Sequence, residues 1–128
     1  MENSSKMQWA GRALSGIVIL FMVMDLAMKF LGLPIVEETG QQLGLPAHSG
    51  FGVAVMETII LVLYVVPRTS ILGAVLFTGL FGGTMAIHWR LGNPLFTHIL
   101  FGFYLALLAW GGLWLRDARL RALLPFSR

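Results

Sequence analysis

Four long apolar runs, roughly residues 11–33, 48–66, 71–90 and 96–115, constrain this chain more than any other feature of its sequence. Each is about 19–23 residues long, and a helix needs about 20 apolar residues to cross a ~30 Å hydrocarbon core. No water is available there to satisfy free backbone groups, so runs of this length must close their hydrogen bonds internally as helices. A β-barrel would instead show alternating segments of about ten residues. The remaining sequence is too short and too apolar to wrap these runs in a polar shell: 57% of the 128 residues are hydrophobic, 12% are charged, and the mean hydropathy is +0.80. The sequence therefore predicts one all-α domain over residues 1–128, an integral membrane four-helix up-down bundle in the lipid bilayer.

The first run is too long for a signal-peptide core, and it carries Asp25 and Lys29, so it is expected to remain as a span. Cysteine is absent, which excludes disulfides, thiolate metal ligands and cysteine nucleophiles. No HExxH, GxSxG or nucleotide-binding loop occurs, and no metal site is expected. The net charge of +3 does not point to nucleic acid. Its positive residues collect at helix ends, notably Arg116, Arg119, Arg121 and Arg128, which is a membrane-surface distribution. With a cytoplasmic N-terminus, Lys6, Arg12, Arg68 and those four arginines all face inward and only Arg90 faces outward, so both termini are predicted to be cytoplasmic. Trp9, Trp89, Trp110 and Trp114 fall near the same predicted interfaces.

The connections differ in character. "PIVEETGQQLGLPA" (34–47) reads as a 14-residue outer loop long enough to act as a lid. "PRTS" (67–70) is a tight turn in which Thr69 or Ser70 is expected to cap the following helix. "RLGNP" (90–94) is a second short turn, with Pro94 as the first residue of the fourth span. The arginine- and leucine-rich segment after residue 115 is expected to lie on the inner headgroups as an anchor.

With this topology the polar residues collect in the outer half of the bundle. Asp25 lies about 14 residues into the first span, roughly 21 Å up, and Lys29 is one turn higher. These two stand at i and i+4 with the acid first, the favourable order for an ion pair on one helix face. Glu57 lies near the bilayer middle and has only Val53, Ala54, Ile60 and Leu61 three or four residues away. It must therefore find Lys29, Arg90 or a histidine on another helix, or carry a proton. His88, Arg90 and His98 sit at the same outer end and His48 at the surface there; His88 and His98 are candidates to ligate a haem or metal or to exchange protons. An intramembrane carboxylate costs about 2.5–3.5 kcal/mol on insertion scales, so several at one level imply a shared polar pocket. Gly79 and Gly83 have GxxxG spacing and predict close helix contact, within the bundle or between protomers. Met22, Met24 and Met28 suit an adaptable apolar lining.

The stretches "MKFLGLP" (28–34), the single Glu57 of the second run, "YVVPRTSILGAVLFTGLFGGTMAIHWRLGNPLF" (64–96) and "WGGLWLRDARLRALLP" (110–125) resemble the DoxX-like family of small four-helix membrane proteins. The resemblance aligns the family's recurring polar positions with Lys29, Glu57, Arg68, His88 and Arg90. It implies an integral protein, in a bacterial inner membrane, from a group that takes its name from a subunit of a thiosulfate:quinone oxidoreductase. Three functions stay open: an accessory component of a quinone-linked redox system, a small membrane enzyme (oxidoreductase or isomerase) acting on a lipophilic substrate, and a proton-coupled exporter. The partners these imply are a lipophilic small molecule such as quinone, a redox partner subunit, or further copies of the chain as a homo-oligomer. Asp25, Lys29, Glu57, His88, Arg90 and His98 are the polar-pocket candidates.

Overall fold

The computed structural model describes residues 2–127, with side chains from residue 5 onward; Arg128, one of the C-terminal arginines, lies outside them. Every regular element among the described residues is helical: α1 (Glu2–Phe30), α2 (Pro34–Gln42), α3 (Ser49–Val65), α4 (Ser70–Arg90), α5 (Phe101–Arg116) and α6 (Ala118–Leu123). Among the described residues three stretches are long and apolar enough to cross a membrane, Ser5–Phe30, Ser70–Arg90 and Leu95–Arg116. The second apolar run forms the shorter α3, whose 17 residues rise about 26 Å.

The four long helices form a ring: α1 packs on α5 and α3, and α4 on α3 and α5. Small residues set the closest crossings. A Cβ on Gly112 would stand 2.7 Å from the Ser15 backbone nitrogen and 2.9 Å from the Gly11 carbonyl, so α1 and α5 touch backbone to backbone. A Cβ on Gly73 would stand 2.5 Å from Cα of Tyr64, and one on Gly102 would stand 2.8 Å from the Phe81 carbonyl. Val18, Met22, Tyr64, Phe77, Ala109 and Leu113 fill the space inside, with Phe77 stacked on Phe81 at 5.1 Å.

The GxxxG face makes no close helix contact within this bundle. Nothing lies within 4 Å of a Cβ built on Gly79, Gly82 or Gly83. Helices α3 and α4 meet beside their turn, at Gly73 and Tyr64, and a gap opens between them where Gly79 and Gly83 lie. Spacing within one helix places small residues on one face, but it does not say whether a neighbour comes up to that face.

The turns also depart from expectation. Thr69 and Ser70 do not cap α4; they close the end of α3 instead. Thr69 Oγ1 donates to the Leu63 carbonyl at 2.7 Å, and Ser70 Oγ to the carbonyls of Tyr64 and Val66 at 2.8 and 2.9 Å. Carbonyls left over at a buried helix C-terminus need donors as much as the next N-terminus needs acceptors. Pro94 precedes the last span rather than starting it: its carbonyl accepts from both His98 and Ile99, opening a π-helical turn over Leu95–Ile99. The 34–47 connection contains α2, begun by Pro34 at its first position and ended just before Gly44 at φ +78°.

At the termini end, α6 folds back on α5. Leu120 is buried, Trp114 Nε1 donates to the Leu124 carbonyl at 2.8 Å, and Arg121 donates to the Trp114 and Leu115 carbonyls. The segment expected to lie on the headgroups is thus also tied to the bundle. Asp117 caps α6 through the Arg119 backbone N–H at 2.9 Å. The Arg119 side chain, hydrogen-bonded to Asp117, holds its carboxyl below the usual carboxylate range. A depressed carboxyl contributes stability that is present above its unfolded value of about 3.9 and is lost as pH falls through the lower folded value. Trp114 fluorescence is therefore expected to stay constant from neutral pH to about 5 and to change only in more acid solution. Asp117→Asn should flatten that acid change; an unaltered profile would show that α6 is held without this pair.

Candidate functional site

The gap between α3 and α4 belongs to a cavity of about 1090 Å³, bordered by residues of all four long helices and covered at one end by α2. Ile35, Val36 and Leu43 of the 34–47 connection are among the residues that line it. The lining is mostly aliphatic and aromatic, with Met22, Met28 and Met56 among it.

Glu37 and His88 interrupt this lining, as does a cluster of three charges, Asp25, Lys29 and Glu57. Lys29 Nζ lies 2.6 Å from Asp25 Oδ2 on its own helix and 2.6 Å from Glu57 Oε1 across on α3. The i,i+4 spacing puts Asp25 and Lys29 on one face of α1, and α1 packs on α3 so that Glu57 enters the same face. Both distances are those of charge-assisted bonds. Of the partners open to Glu57 in the sequence, the fold selects Lys29. Glu57 is 5% exposed, and its second oxygen, Oε2, is buried with no hydrogen-bond partner among the described residues. Such an atom is costly to leave unmet.

The other candidates divide. His88 borders the cavity at its α2 end, and its Nδ1 lies 2.7 Å from the Asn93 amide. His98 does not border it; its ring meets His88 edge to face at 5.6 Å, and its Nδ1 bonds Thr97. Rings in contact leave no porphyrin-sized gap between them, so this pair does not fit a haem held from both faces. Arg90 stands apart from the charged cluster and reaches the Leu43 carbonyl at 3.4 Å, tying α4 to the end of α2. His48 sits before α3 at φ +62°, and its N–H points to the Glu37 carboxylate at 3.2 Å. Thus Asp25, Lys29 and Glu57 form one unit, His88 and His98 a second, and Arg90 a latch.

A second polar network lies in the opposite half of the bundle, and sequence reading missed it. Tyr64 Oη bonds Ser15 Oγ at 2.7 Å and donates to the Ala109 carbonyl at 2.7 Å, while Arg116 reaches Ser15 Oγ at 3.0 Å. Its one sequence signal was Gly11 and Ser15, four residues apart on α1. Tyr64→Phe should lower stability by about 0.5–1.5 kcal/mol, since the hydroxyl's bonds to Ser15 and to the Ala109 carbonyl are lost while that carbonyl keeps its bond within α5. An unchanged melting temperature in detergent would contradict this.

No curated protein and no solved structure matches the chain. The profile of the DoxX-like family matches residues 13–112, a stretch that includes α2 and every residue of the charged cluster and the histidine pair. With that match on most of its length and three membrane-length apolar helices, this chain is a small helical membrane protein and belongs to the DoxX-like family.

Proposed function

We propose that this protein binds a lipophilic small molecule in the cavity between α3 and α4, with the polar end of that molecule on the Lys29–Glu57 pair. The observation that carries this reading is the Asp25–Lys29–Glu57 ion cluster among the lining residues of a mostly apolar cavity of about 1090 Å³. That volume lies just above the usual range for drug-sized ligands, about 300–1,000 Å³, with few polar groups to fix orientation. In this reading all four long helices cross the bilayer, α3 being the short one, with both termini in the cytoplasm of a bacterial cell and α2 on the outer face. The gap beside Gly79 and Gly83 then opens toward lipid, the phase in which such a molecule is dissolved.

A quinone fits this setting in volume and in apolar contact. One of its carbonyls would accept the third N–H of Lys29, the other two being engaged by Asp25 and Glu57. When bound, a quinone supplies two-electron redox chemistry; the chain's own part is to bind it, orient it and exchange a proton at Glu57. This favours an accessory component of a quinone-linked redox system, working beside a redox subunit, over a self-contained enzyme.

The test is to purify the full chain in mild detergent and analyse the co-purifying lipophiles by extraction and mass spectrometry, for the wild type, Glu57→Gln and Gly79→Leu. A stoichiometric molecule in the wild type, reduced in Glu57→Gln and absent from the folded Gly79→Leu, supports the reading. Equal retention in all three refutes it.

A further inference from the structure

At the end of the bundle that carries both termini, Lys6, Arg12, Arg68, Arg116, Arg119 and Arg121 stand against a single carboxylate, Asp117, among the described side chains. Between the α3–α4 turn and the α5–α6 junction this end is indented by a cleft of about 320 Å³, bordered by Pro67, Ser70, Arg116, Asp117 and Arg119 and sharing no residue with the larger cavity. Ser70 opens one membrane-length stretch and Arg116 closes another, so the cleft lies where hydrocarbon gives way to headgroups and water. Its charges do not cancel. Asp117 is engaged by Arg119, whose Nε donates to Oδ1 at 3.2 Å and whose Nη2 donates to Oδ2 at 2.9 Å, a forked pair with no net charge. Arg116 is half-buried and donates to neutral acceptors only, through Nε to the Gly112 carbonyl and through Nη2 to Ser15 Oγ. It has no ion-pair partner among the described residues, and neither does the exposed Arg68 beside Pro67.

We infer that this cleft binds a phosphate anion beside Arg116 and Arg119, supplied by the headgroup of an anionic lipid. A half-buried guanidinium with no carboxylate leaves its charge uncompensated, and a phosphate supplies both the opposite charge and several acceptor oxygens for planar N–H forks. Basic pockets between helix ends at the headgroup level are suited to such lipids. The level of the cleft favours a lipid over free phosphate, as do Val65 and Val66, exposed apolar residues just before Pro67 that offer surface to an acyl chain. This site is independent of the cavity reading above.

The experiment measures, by native mass spectrometry of the purified full chain in detergent, the binding of dioleoylphosphatidylglycerol and of dioleoylphosphatidylcholine, which has the same acyl chains and no net charge. The wild type is expected to bind the anionic lipid roughly fivefold or more tightly. Arg119→Gln changes a side chain that is 75% exposed and leaves Asp117 unneutralised in the cleft, so the ratio should fall to about one. Asp117→Asn takes the one carboxylate out of the cleft and should raise the ratio, a gain that misfolding does not imitate. Arg12→Gln removes the same single charge from the same end but outside the cleft, and should leave the ratio as it is. Equal binding of the two lipids to the wild type would overturn the inference. So would an equal loss in Arg12→Gln and Arg119→Gln, because the preference would then belong to the whole charged end. Displacement of the anionic lipid by inorganic phosphate, from the wild type and Asp117→Asn alike, would overturn the lipid as the source and assign the cleft to free phosphate.

Discussion

Lys29→Leu is expected to cost the bundle about 3–5 kcal/mol, the penalty for removing one partner from a buried ionic group. Its ammonium is the common partner of Asp25 and Glu57 at 2.6 Å each, and without it two carboxyls face one another in an apolar wall. A folded domain has only about 5–15 kcal/mol in total, so this single change should move most of the protein into aggregates at moderate temperature. Adding Asp25→Asn and Glu57→Leu to Lys29→Leu should restore most of the loss, because an ionic group replaced whole by neutral residues is often close to neutral in stability. Thermal unfolding in detergent, followed by circular dichroism and size exclusion, measures both. A single variant as stable as the wild type would show that the triad contributes nothing to folding. A triple variant as unstable as the single one would place the defect in lost packing of the lysine stem rather than in unpaired charge.

The second large effect separates glycines that look alike in sequence. Gly73→Ala should destabilise by about 1–3 kcal/mol, because the new methyl falls on the Tyr64 backbone, which has no rotamer by which to move aside. Gly83→Ala, ten residues along the same helix, meets open space and should stabilise by roughly 0.5–1 kcal/mol through helix propensity and unfolded-state entropy. The pair of melting temperatures is the measurement. The reverse order, with Gly83 the intolerant position, would mean that a helix does sit against the GxxxG face, either from this bundle or from a second copy of the chain.

Much of this architecture was legible because it is local. Run length and apolarity set the helices; Pro34, Pro67 and Pro94 mark their limits; and the i,i+4 order of Asp25 and Lys29 set their ion pair. The expectation that an isolated carboxylate in an apolar helix must find a partner elsewhere was also sound physics, and Lys29 is that partner. Even so, the 34–47 connection read as loop because its two glycines and two prolines outweighed a short amphipathic run that closes into α2.

What only the tertiary structure decided is how the helices are rotated and splayed against one another. Sequence periodicity names a face but not the neighbour of that face. The backbone contact of Gly112 with Ser15 joins α1 to α5, and that of Gly73 with Tyr64 joins α3 to α4 beside their turn. With these contacts fixed, Glu57 meets Lys29 rather than Arg90, Tyr64 reaches Ser15 and Ala109, and Gly79 and Gly83 are left against empty space. The sequence by itself determined the helices and the charges they must carry inside. The cavity came from where those helices touch, because close packing at one end of the ring left the other end open around Glu57.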